Sequence, residues 1–375
     1  MLSLFGEAWR LLLVLQLIGA RGSSMKHRYL GVTKQFCMMG ILASIFVLSA
    51  KASEITANDF RNSRFRGFNL DAVHSGARSS IDLDALAKTG ANMARVGVSL
   101  QRCALCTSYE LSQTDLVTLD SLIHELAARS VYVTLVLVPM ADARGPFWTS
   151  PSLQRSFIEH WKVLATRYRN LASIAGFDLL NEPVPPGRTY EDRQIMWLDF
   201  AERLGKEIRS VDPNRVLIVE SAPDATTSSF NNMKTLPLEN VVYSVHAYAP
   251  FDFTHQEVVK QASTPMSYGS SSGMDVNRQE LYKLLTVVEA FSSKYNVPIL
   301  VGEFSCVRWA PNASAERYIS DSTDFFEEKG WSWMYHDFRG WPGWDAEMTE
   351  SRFPTARSVD APVMKILRAK MANNK

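Results

Sequence analysis

Two glutamates, Glu182 and Glu303, each stand at the end of an apolar run that is typical of a buried β-strand. The runs cover residues 177–183 and 298–304. Carboxylates are seldom buried without a partner or a chemical task. A pair of carboxyl groups on either side of a bond is the minimum that hydrolysis of a glycoside requires. Because the two glutamates lie far apart in sequence, the fold has to bring two strand ends together to form one such site.

Apolar, β-branched runs alternate with stretches of helical period along most of the chain. Strands are predicted at residues 65–70, 92–98, 131–138, 174–180, 216–220, 241–246, 298–304 and 331–336. Helices are predicted at residues 116–129, 153–168, 197–211, 280–293, 316–329 and 363–371, where apolar side chains recur on one face. Strands that alternate with helices imply a parallel sheet.

Eight strand–helix units in about 320 residues predict an α/β fold, a (β/α)8 TIM barrel that forms a single catalytic domain over residues 53–375. A doubly wound open sheet is the alternative. It needs a glycine-rich phosphate loop after its first strand, and residues 67–71 do not form one. The active site of a barrel lies at the C-terminal ends of its strands. Glu182 and Glu303, on the fourth and seventh predicted strands, therefore reach the same mouth.

Other polar residues fall at the same level of the predicted barrel. Arg95 lies inside the second strand, where a charge is costly unless it is paired. We expect it to contact Glu303, to orient that carboxylate and to lower its pKa. Asn181 precedes Glu182 and is placed to hydrogen-bond a sugar hydroxyl. A structural ion pair is the simpler explanation of Arg95 taken alone.

The sixth and eighth predicted strands add four more candidates. His246 and Tyr248 end the sixth strand and supply two hydrogen-bond donors. Trp331 and Trp333 belong to the eighth, where one indole is expected to form the floor of the pocket, with Trp333 favoured by strand register. A buried core histidine and a packing tyrosine are the simpler explanations of the first two taken one at a time.

At these residues the chain resembles glycoside hydrolase family 5, a group of retaining (β/α)8 glycosidases. The matching motifs, in order, are Arg66-Gly67-Phe68-Asn69, Arg95, Leu180-Asn181-Glu182-Pro183, His246-x-Tyr248, Gly302-Glu303-Phe304 and Trp331-Ser332-Trp333. The resemblance implies that Glu182 is the general acid/base and Glu303 the nucleophile. It also implies that the site is completed by Arg95, Asn181, His246, Tyr248 and either Trp331 or Trp333.

One feature departs from that family. Its members usually have a histidine at the end of the third strand, and residues 135–142 contain none. His74, after the first strand, is the candidate to supply the missing contact. The departure bears on the sugar that the site accepts and leaves the carboxylate pair intact.

Composition limits the classes of partner. Hydrophobic residues make up 46% and charged residues 21% of the 375, with a net charge of +1. This balance gives no reason to expect nucleic acid or an anionic membrane surface as a partner. No cofactor is implied, and no metal site is expected, because Cys103-x-x-Cys106 is not accompanied by a second Cys pair or a His pair at zinc spacing. We expect a monomer that acts on a β-linked polysaccharide or oligosaccharide.

Cysteine positions allow two pairings. Cys103 and Cys106 form a Cys-x-x-Cys pair, and Cys306 follows the seventh predicted strand. An exported protein can keep disulfides. A local Cys103–Cys106 bridge and a long-range bridge to Cys306 are both open.

Residues 1–52 are typical of a targeting segment. Basic residues after Met25 precede an apolar run at residues 36–49, and Ala50-Lys51-Ala52 predicts cleavage after Ala52. The run is shorter than the roughly 20 residues of a membrane span, although an uncleaved anchor is the alternative. Met25 is the expected start, with residues 1–24 as an upstream extension. We therefore expect a secreted or periplasmic protein without a stable membrane partner.

These observations predict a secreted retaining β-glycoside hydrolase, an endo-β-1,4-glucanase (cellulase). A β-mannanase or another β-glucan or β-glucoside hydrolase on the same site is the first alternative. A non-catalytic carbohydrate-binding barrel is the alternative of another class. The matched pair Glu182 and Glu303 argues against that barrel, because binding alone needs no acid and nucleophile.

Overall fold

A closed barrel of eight parallel strands in chain order forms the centre of the protein in a computed structural model. The structure describes residues 55–70, 80–103, 105–139, 142, 145–258, 265–269, 276–353 and 356–374. The strands are β1 Arg66–Leu70, β2 Met93–Leu100, β3 Tyr132–Pro139, β4 Ile174–Asp178, β5 Val216–Glu220, β6 Val241–His246, β7 Ile299–Phe304 and β8 Ser332–Tyr335. The predicted TIM barrel with eight strands is confirmed, and the open-sheet alternative is wrong.

Helices surround the barrel. They are α1 Ser80–Lys88, α2 Gln113–Ala128, α3 Pro146–Thr149, α4 Pro151–Tyr168, α5 Tyr190–Arg209, α6 Phe251–Thr254, α7 Arg278–Tyr295, α8 Ser314–Glu328 and α9 Pro362–Met371. Six correspond to the predicted helices, whereas α1, α3 and α6 were not predicted. Short 3-10 helices cover Ala57–Phe60 and Thr227–Asn232. The latter is the helical element between β5 and β6 in the described chain, which explains why no long amphipathic pattern appears there.

Strand burial explains why these runs are nearly continuous in apolar residues. Every residue of β1, β4, β5, β6, β7 and β8 is buried, as expected for parallel strands covered on both faces. A cluster of ten residues fills the interior towards the N-terminal ends of the strands: Ile55, Phe60, Phe65, Met93, Ala175, Val216, Ile218, Val242, Leu300 and Met334. Side chains alternate along a strand, so the next inward positions lie towards the C-terminal mouth. There the interior becomes polar, with Arg95 two residues after Met93 and Glu220 two residues after Ile218.

Among the cysteines, Cys103 and Cys106 form a disulfide with a Cα–Cα distance of 5.1 Å. Cys306 is free and buried. Of the two pairings that the sequence left open, the structure therefore has the local one.

The predicted targeting segment at residues 1–52 lies outside the described residues, with its expected start at Met25 and its cleavage site after Ala52. His74, the candidate replacement for the missing histidine, also lies outside them. In the described part of the chain, no helix combines the length and apolar character that crossing a membrane requires.

Candidate active site

Arg95 is the centre of the polar cluster at the barrel mouth. Its guanidinium donates from Nε to Asp178 Oδ2, from Nη1 to Glu303 Oε1 and from Nη2 to Glu220 Oε1, each at 2.8 Å. The side chain is only 3% exposed. A buried guanidinium is stable only with such partners. The expected contact between Arg95 and Glu303 is present, and two further carboxylates join it.

Two asparagines complete the coordination of that guanidinium. Arg95 Nη1 donates to Asn69 Oδ1 at 2.9 Å, and Nη2 donates to Asn181 Oδ1 at 2.8 Å. Asn69 in turn donates to the carbonyl of Gly302 at 2.8 Å. Asn181 therefore faces Arg95 with its side-chain oxygen, and its side-chain NH2 group is the part that can donate to a ligand.

Glu303, on β7, accepts hydrogen bonds on both oxygens. Oε1 accepts from Arg95, and Oε2 accepts from the Tyr248 hydroxyl and from His336 Nδ1, both at 2.8 Å. Burial raises the pKa of this carboxyl, but the charges of His246, His336 and Arg95 outweigh burial and hold the pKa well below its usual range. Glu303 is thus kept ionised and fixed in position, as a carboxylate nucleophile needs to be.

Glu182 lies in the loop after β4 with a left-handed backbone, φ 43°. A non-glycine residue in this region costs of order 1–3 kcal/mol and persists only where its surroundings hold it. Its backbone N–H donates to Glu220 Oε2 at 2.6 Å, and its Oε1 lies 3.0 Å from His246 Nδ1. The side chain is 28% exposed, so it faces the open mouth.

His246, at the end of β6, links the two ends of this network. Its Nδ1 faces Glu182, and its Nε2 lies 3.2 Å from Glu220 Oε1. Burial lowers the pKa of this imidazole, but the charges of Glu220 and Glu303 raise it well above the usual value. A Cβ at Gly302 would lie 3.2 Å from His246 Nε2, so the glycine leaves room for the ring.

The carboxyl groups of Glu182 and Glu303 are close to one another. One oxygen of each, together with a nitrogen of His246, forms a group whose members all lie within 4.8 Å of one another. This spacing also suits metal ligands. Both oxygens of Glu303, however, already accept from the donors described above, one of them the cationic Arg95. A cation would therefore meet a site whose positive charge is already supplied.

Asp178 and Glu220 are site residues that the sequence interpretation missed. Both are fully buried, at the ends of β4 and β5. Burial and the charge of Glu220 raise the pKa of Asp178 to about 8. Burial acts in the same direction on Glu220, but His246 and Arg95 outweigh it and lower that pKa. The signal was available, because each residue follows an apolar strand run just as Glu182 does.

The predicted roles of Trp331 and Trp333 at the pocket floor are wrong. Trp331 is 3% exposed and stacks on Phe326 of α8 with ring centroids 6.2 Å apart. Trp333 is fully buried and donates from Nε1 to Glu327 Oε1, also on α8, at 2.9 Å. Strand alternation turns odd-numbered residues of β8 outward, towards the helices.

His336 takes the inward position that the tryptophans were expected to fill. Met334 belongs to the interior apolar cluster, and His336 lies two residues further along the same face. The residue was inside the predicted eighth strand at residues 331–336. What the sequence did not reveal was the register that turns this side chain towards Glu303.

Aromatic rings that are half-buried or exposed lie on the loops after β7 and β8 instead. Trp344 has its ring 5.3 Å from that of His336 and 5.9 Å from that of Tyr248. Trp341 lies 4.7 Å from Trp344 and is 38% exposed. Trp309, on the loop after β7, lies 5.8 Å from Trp341. The three indoles form a path from Glu303 towards solvent, which we call the tryptophan path.

Arg308 anchors the loop that carries Trp341 and Trp344. This buried side chain donates to the carbonyls of Pro342 at 2.8 Å and Thr349 at 2.7 Å, and its backbone N–H donates to that of Gly343 at 3.1 Å. Its cationic group also lies 5.5 Å from the Trp309 ring. These contacts tie the backbone of the loop that carries Trp341 and Trp344 to the segment after β7.

On the side of Glu182, the mouth opens into a cavity of about 490 Å³. Its lining residues are Glu182, Asp224, Thr226, Thr227, Ser228, His246, Tyr248, Ala249, Phe251 and Leu284. Hydroxyl groups, a carboxylate and a half-exposed phenyl ring suit a ligand with both polar and apolar faces. The site thus has a space on the Glu182 side and aromatic rings on the Glu303 side.

Comparison with known proteins agrees with this geometry. The family model described as Cellulase (glycosyl hydrolase family 5) matches residues 54–340. Endoglucanase C of Acetivibrio thermocellus is 26% identical over 219 residues, which cover 50% of this chain and 62% of that protein. A beta-xylosidase of Phanerodontia chrysosporium is 28% identical over 183 residues, which cover 49% of this chain and 34% of that protein. The chain thus spans less than two thirds of the length of either relative.

Solved structures share the fold. Cel5A of Thermotoga maritima in complex with cellobiose has a TM-score of 0.69 at 20% identity, covering 84% of this chain and 99% of that one. The same protein in complex with mannotriose gives 0.68 at 20% identity, covering 83% and 99%. The family match extends over most of the chain and includes every strand of the barrel. The resemblance noted in the sequence is confirmed: the protein belongs to glycosyl hydrolase family 5, the cellulase family.

Proposed function

We propose that the protein is a retaining β-glycoside hydrolase that cleaves β-1,4-glucan chains internally. The observation that carries the proposal is the approach of Glu182 and Glu303 to within 4.8 Å, with Glu303 held ionised. Carboxyl groups about 5–5.5 Å apart are typical of retaining enzymes, whereas inverting enzymes separate them by about 6.5–9.5 Å to admit a water molecule. The short separation favours a nucleophile that attacks the sugar directly.

In the first step, an oxygen of Glu303 attacks the anomeric carbon while the bond to the leaving oxygen breaks. Glu182 gives its proton to that leaving oxygen. The departing sugar occupies the cavity on the Glu182 side. Arg95, Tyr248 and His336 hold the Glu303 carboxylate in line with the bond that breaks.

In the second step, water attacks the anomeric carbon and Glu303 departs as a carboxylate. Glu182, now ionised, takes the proton of the water molecule. The anomeric configuration is inverted twice and is therefore retained. His246, 3.0 Å from Glu182, fixes the acid/base throughout both steps.

A glucan is the substrate favoured by the relatives, several of which are endoglucanases. The tryptophan path supports internal cleavage, because rings beyond the reacting sugar can stack on further sugar units. A β-mannanase is the second candidate. It is supported by the mannotriose complex of a protein with the same fold, and the missing strand-three histidine is a departure from the family that bears on which sugar is accepted.

Export remains part of the proposal. It depends on the basic, apolar and small-residue pattern of residues 25–52. Amino-terminal sequencing of the exported protein should begin at Ser53. A protein that still carries residues 36–49 would instead indicate a membrane anchor.

Product stereochemistry tests the proposal directly. We expect NMR to show the β-anomer of the new reducing end as the first product from cellopentaose, before mutarotation. A first-formed α-anomer would establish inversion and contradict the proposal. A parallel screen on soluble cellulose, mannan, xyloglucan and aryl β-glycosides should give the highest kcat/KM on cellulose. Tight sugar binding without turnover of any substrate would favour the non-catalytic barrel.

A further inference from the structure

The imidazole of His336 makes a hydrogen bond to the proposed nucleophile, Glu303. This histidine is the first residue after β8, and its Nδ1 lies 2.8 Å from Glu303 Oε2. An ionised carboxylate can only accept, so Nδ1 carries the hydrogen. The Tyr248 hydroxyl donates to the same oxygen, also at 2.8 Å. The imidazole packs against the Trp344 ring in a T-shaped arrangement, with ring centroids 5.3 Å apart and planes at 76°.

The charges around His336 favour its protonated form. Burial lowers the pKa of this imidazole, but the charge of Glu303 and its hydrogen bond outweigh burial and raise the pKa. On the other side of the ring, Nε2 lies 3.7 Å from Asp337 Oδ2. The charged and titratable groups that face His336 are Glu303 from β7, Asp337 from its own loop, Arg95 from β2, Tyr248 after β6 and His255 after α6.

We propose that His336 is a positioning residue for Glu303 whose hydrogen bond favours departure of the carboxylate in the second step over its attack in the first. The inference rests on the retaining function proposed above. A charged donor binds a carboxylate more strongly than it binds the neutral ester of the glycosyl-enzyme. The contact therefore stabilises Glu303 whenever it carries full charge, before attack and after departure.

His336 transfers no proton in either step. In the first, the bond from Glu303 to the anomeric carbon forms, the bond to the leaving oxygen breaks, and the proton of Glu182 goes to that oxygen. In the second, the bond from water to the anomeric carbon forms and the ester bond breaks. Its electron pair returns to Glu303, and the proton of water goes to Glu182. The imidazolium of His336 only weakens and strengthens its hydrogen bond as the charge of Glu303 disappears and returns.

The test compares His336→Phe and His336→Asn with the unmodified enzyme. For each, kcat/KM on dinitrophenyl β-cellobioside reports the first step. The second step is measured separately. The enzyme is first trapped as its covalent glycosyl-enzyme with a dinitrophenyl β-cellobioside that carries fluorine on the carbon next to the anomeric carbon, and the rate at which activity then returns reports the second step. We expect reactivation of His336→Phe to be about tenfold slower, the effect of losing one charged hydrogen bond. Its first step should be unchanged or faster. His336→Asn, which keeps a donor without the charge, should fall between.

A matched control is His255→Phe, which removes an imidazole 5.1 Å from the Trp344 ring. The ratio of the two rates should not change in this variant. Equal slowing of both steps in His336→Phe and His336→Asn, or an unaltered reactivation rate, would overturn the role of His336. If the unmodified enzyme forms no covalent adduct, the retaining function itself fails, so the two failures are distinguishable.

Discussion

His246 Nδ1 lies 3.0 Å from Glu182 Oε1, so the proposed acid/base is fixed by a ring that is itself buried in the ion network of the barrel. The other nitrogen of the ring lies 3.2 Å from Glu220, which also contacts Arg95. Arg95 in turn contacts Glu303. A continuous chain of charged contacts therefore connects Glu182 with Glu303, and we expect a change in the charge of one carboxylate to alter the electrostatic environment of the other.

The roles of the two glutamates predict opposite responses to azide. Glu182→Ala should keep the first step for dinitrophenyl glycosides, because their leaving groups need no proton. Azide should then restore turnover and give a β-glycosyl azide, since a small anion needs no base to attack the intermediate. Glu303→Ala should lose turnover of every substrate, and azide should give an α-glycosyl azide. NMR of the products decides: a β-azide from Glu303→Ala with an α-azide from Glu182→Ala would reverse the roles.

Arg95→Leu should destabilise the fold strongly. The change leaves Asp178, Glu220 and Glu303 buried without their shared cation. Breaking a buried ion pair in this way costs about 3–5 kcal/mol in free energy of unfolding. Equilibrium unfolding in urea measures the loss. Arg129→Leu is the matched control, because its partners Asp84 and Glu125 are exposed to solvent, and its loss of stability should be much smaller. Equal losses in the two variants would contradict the importance of burial here.

The shifted pKa values predict a stability maximum in mildly acidic solution. The depressed pKa of Glu303 stabilises the fold above about pH 4.5, and this contribution is lost as pH falls through the folded value. The raised pKa of His246 stabilises the fold fully below about pH 6.5, and this contribution is lost as pH rises through the folded value. The raised pKa of Asp178, about 8, acts in the same direction, because the stability that its protonated form contributes is lost as pH rises from about 3.8 towards 8.

Urea unfolding measured within the window from about pH 4.5 to 6.5 should therefore give a larger free energy than at about pH 8. His246→Asn should flatten this dependence, because the titrating imidazole is gone. A free energy that keeps rising through pH 8 in the unmodified protein would show that other groups dominate. The pH profile of kcat/KM should follow the same carboxyl. Because the pKa of Glu303 is depressed, the nucleophile is still ionised at about pH 4.5, and we expect kcat/KM to fall only at lower pH.

Much of the barrel and its carboxylate pair could be predicted because both depend on local patterns. Parallel strands buried on two faces leave continuous apolar runs, and the polar residue that ends such a run marks the mouth. The partners of Arg95 could not be predicted in the same way. Asp178 and Glu220 meet it across the barrel interior, and only the closed structure shows which strand ends face one another.

The prediction for β8 failed for a different reason, because it assigned the wrong side chains to the inner face of the strand. A shift of one residue in register moves every side chain of a strand to its other face. Trp333 pairs with Arg66 of β1 and points outward to α8, so His336 points inward. Both residues lie in one short apolar run whose two faces are buried, and its composition does not distinguish them.

Trp341→Ala should impair long substrates and spare short ones. The indole is the middle ring of the tryptophan path, 4.7 Å from Trp344, and it lies against Gly343, where an added Cβ would collide with it. A ring fixed in this way offers its stacking energy without an ordering cost. Loss of one aromatic contact of about 0.5–1.5 kcal/mol lowers kcat/KM on cellopentaose by roughly two- to tenfold. Dinitrophenyl β-cellobioside has only two sugar units, and we expect it to end before Trp341 and to be hydrolysed at the unmodified rate. Equal losses of kcat/KM on the two substrates would indicate that Trp341 supports the structure of the catalytic centre. No loss on either substrate would show that Trp341 does not bind substrate.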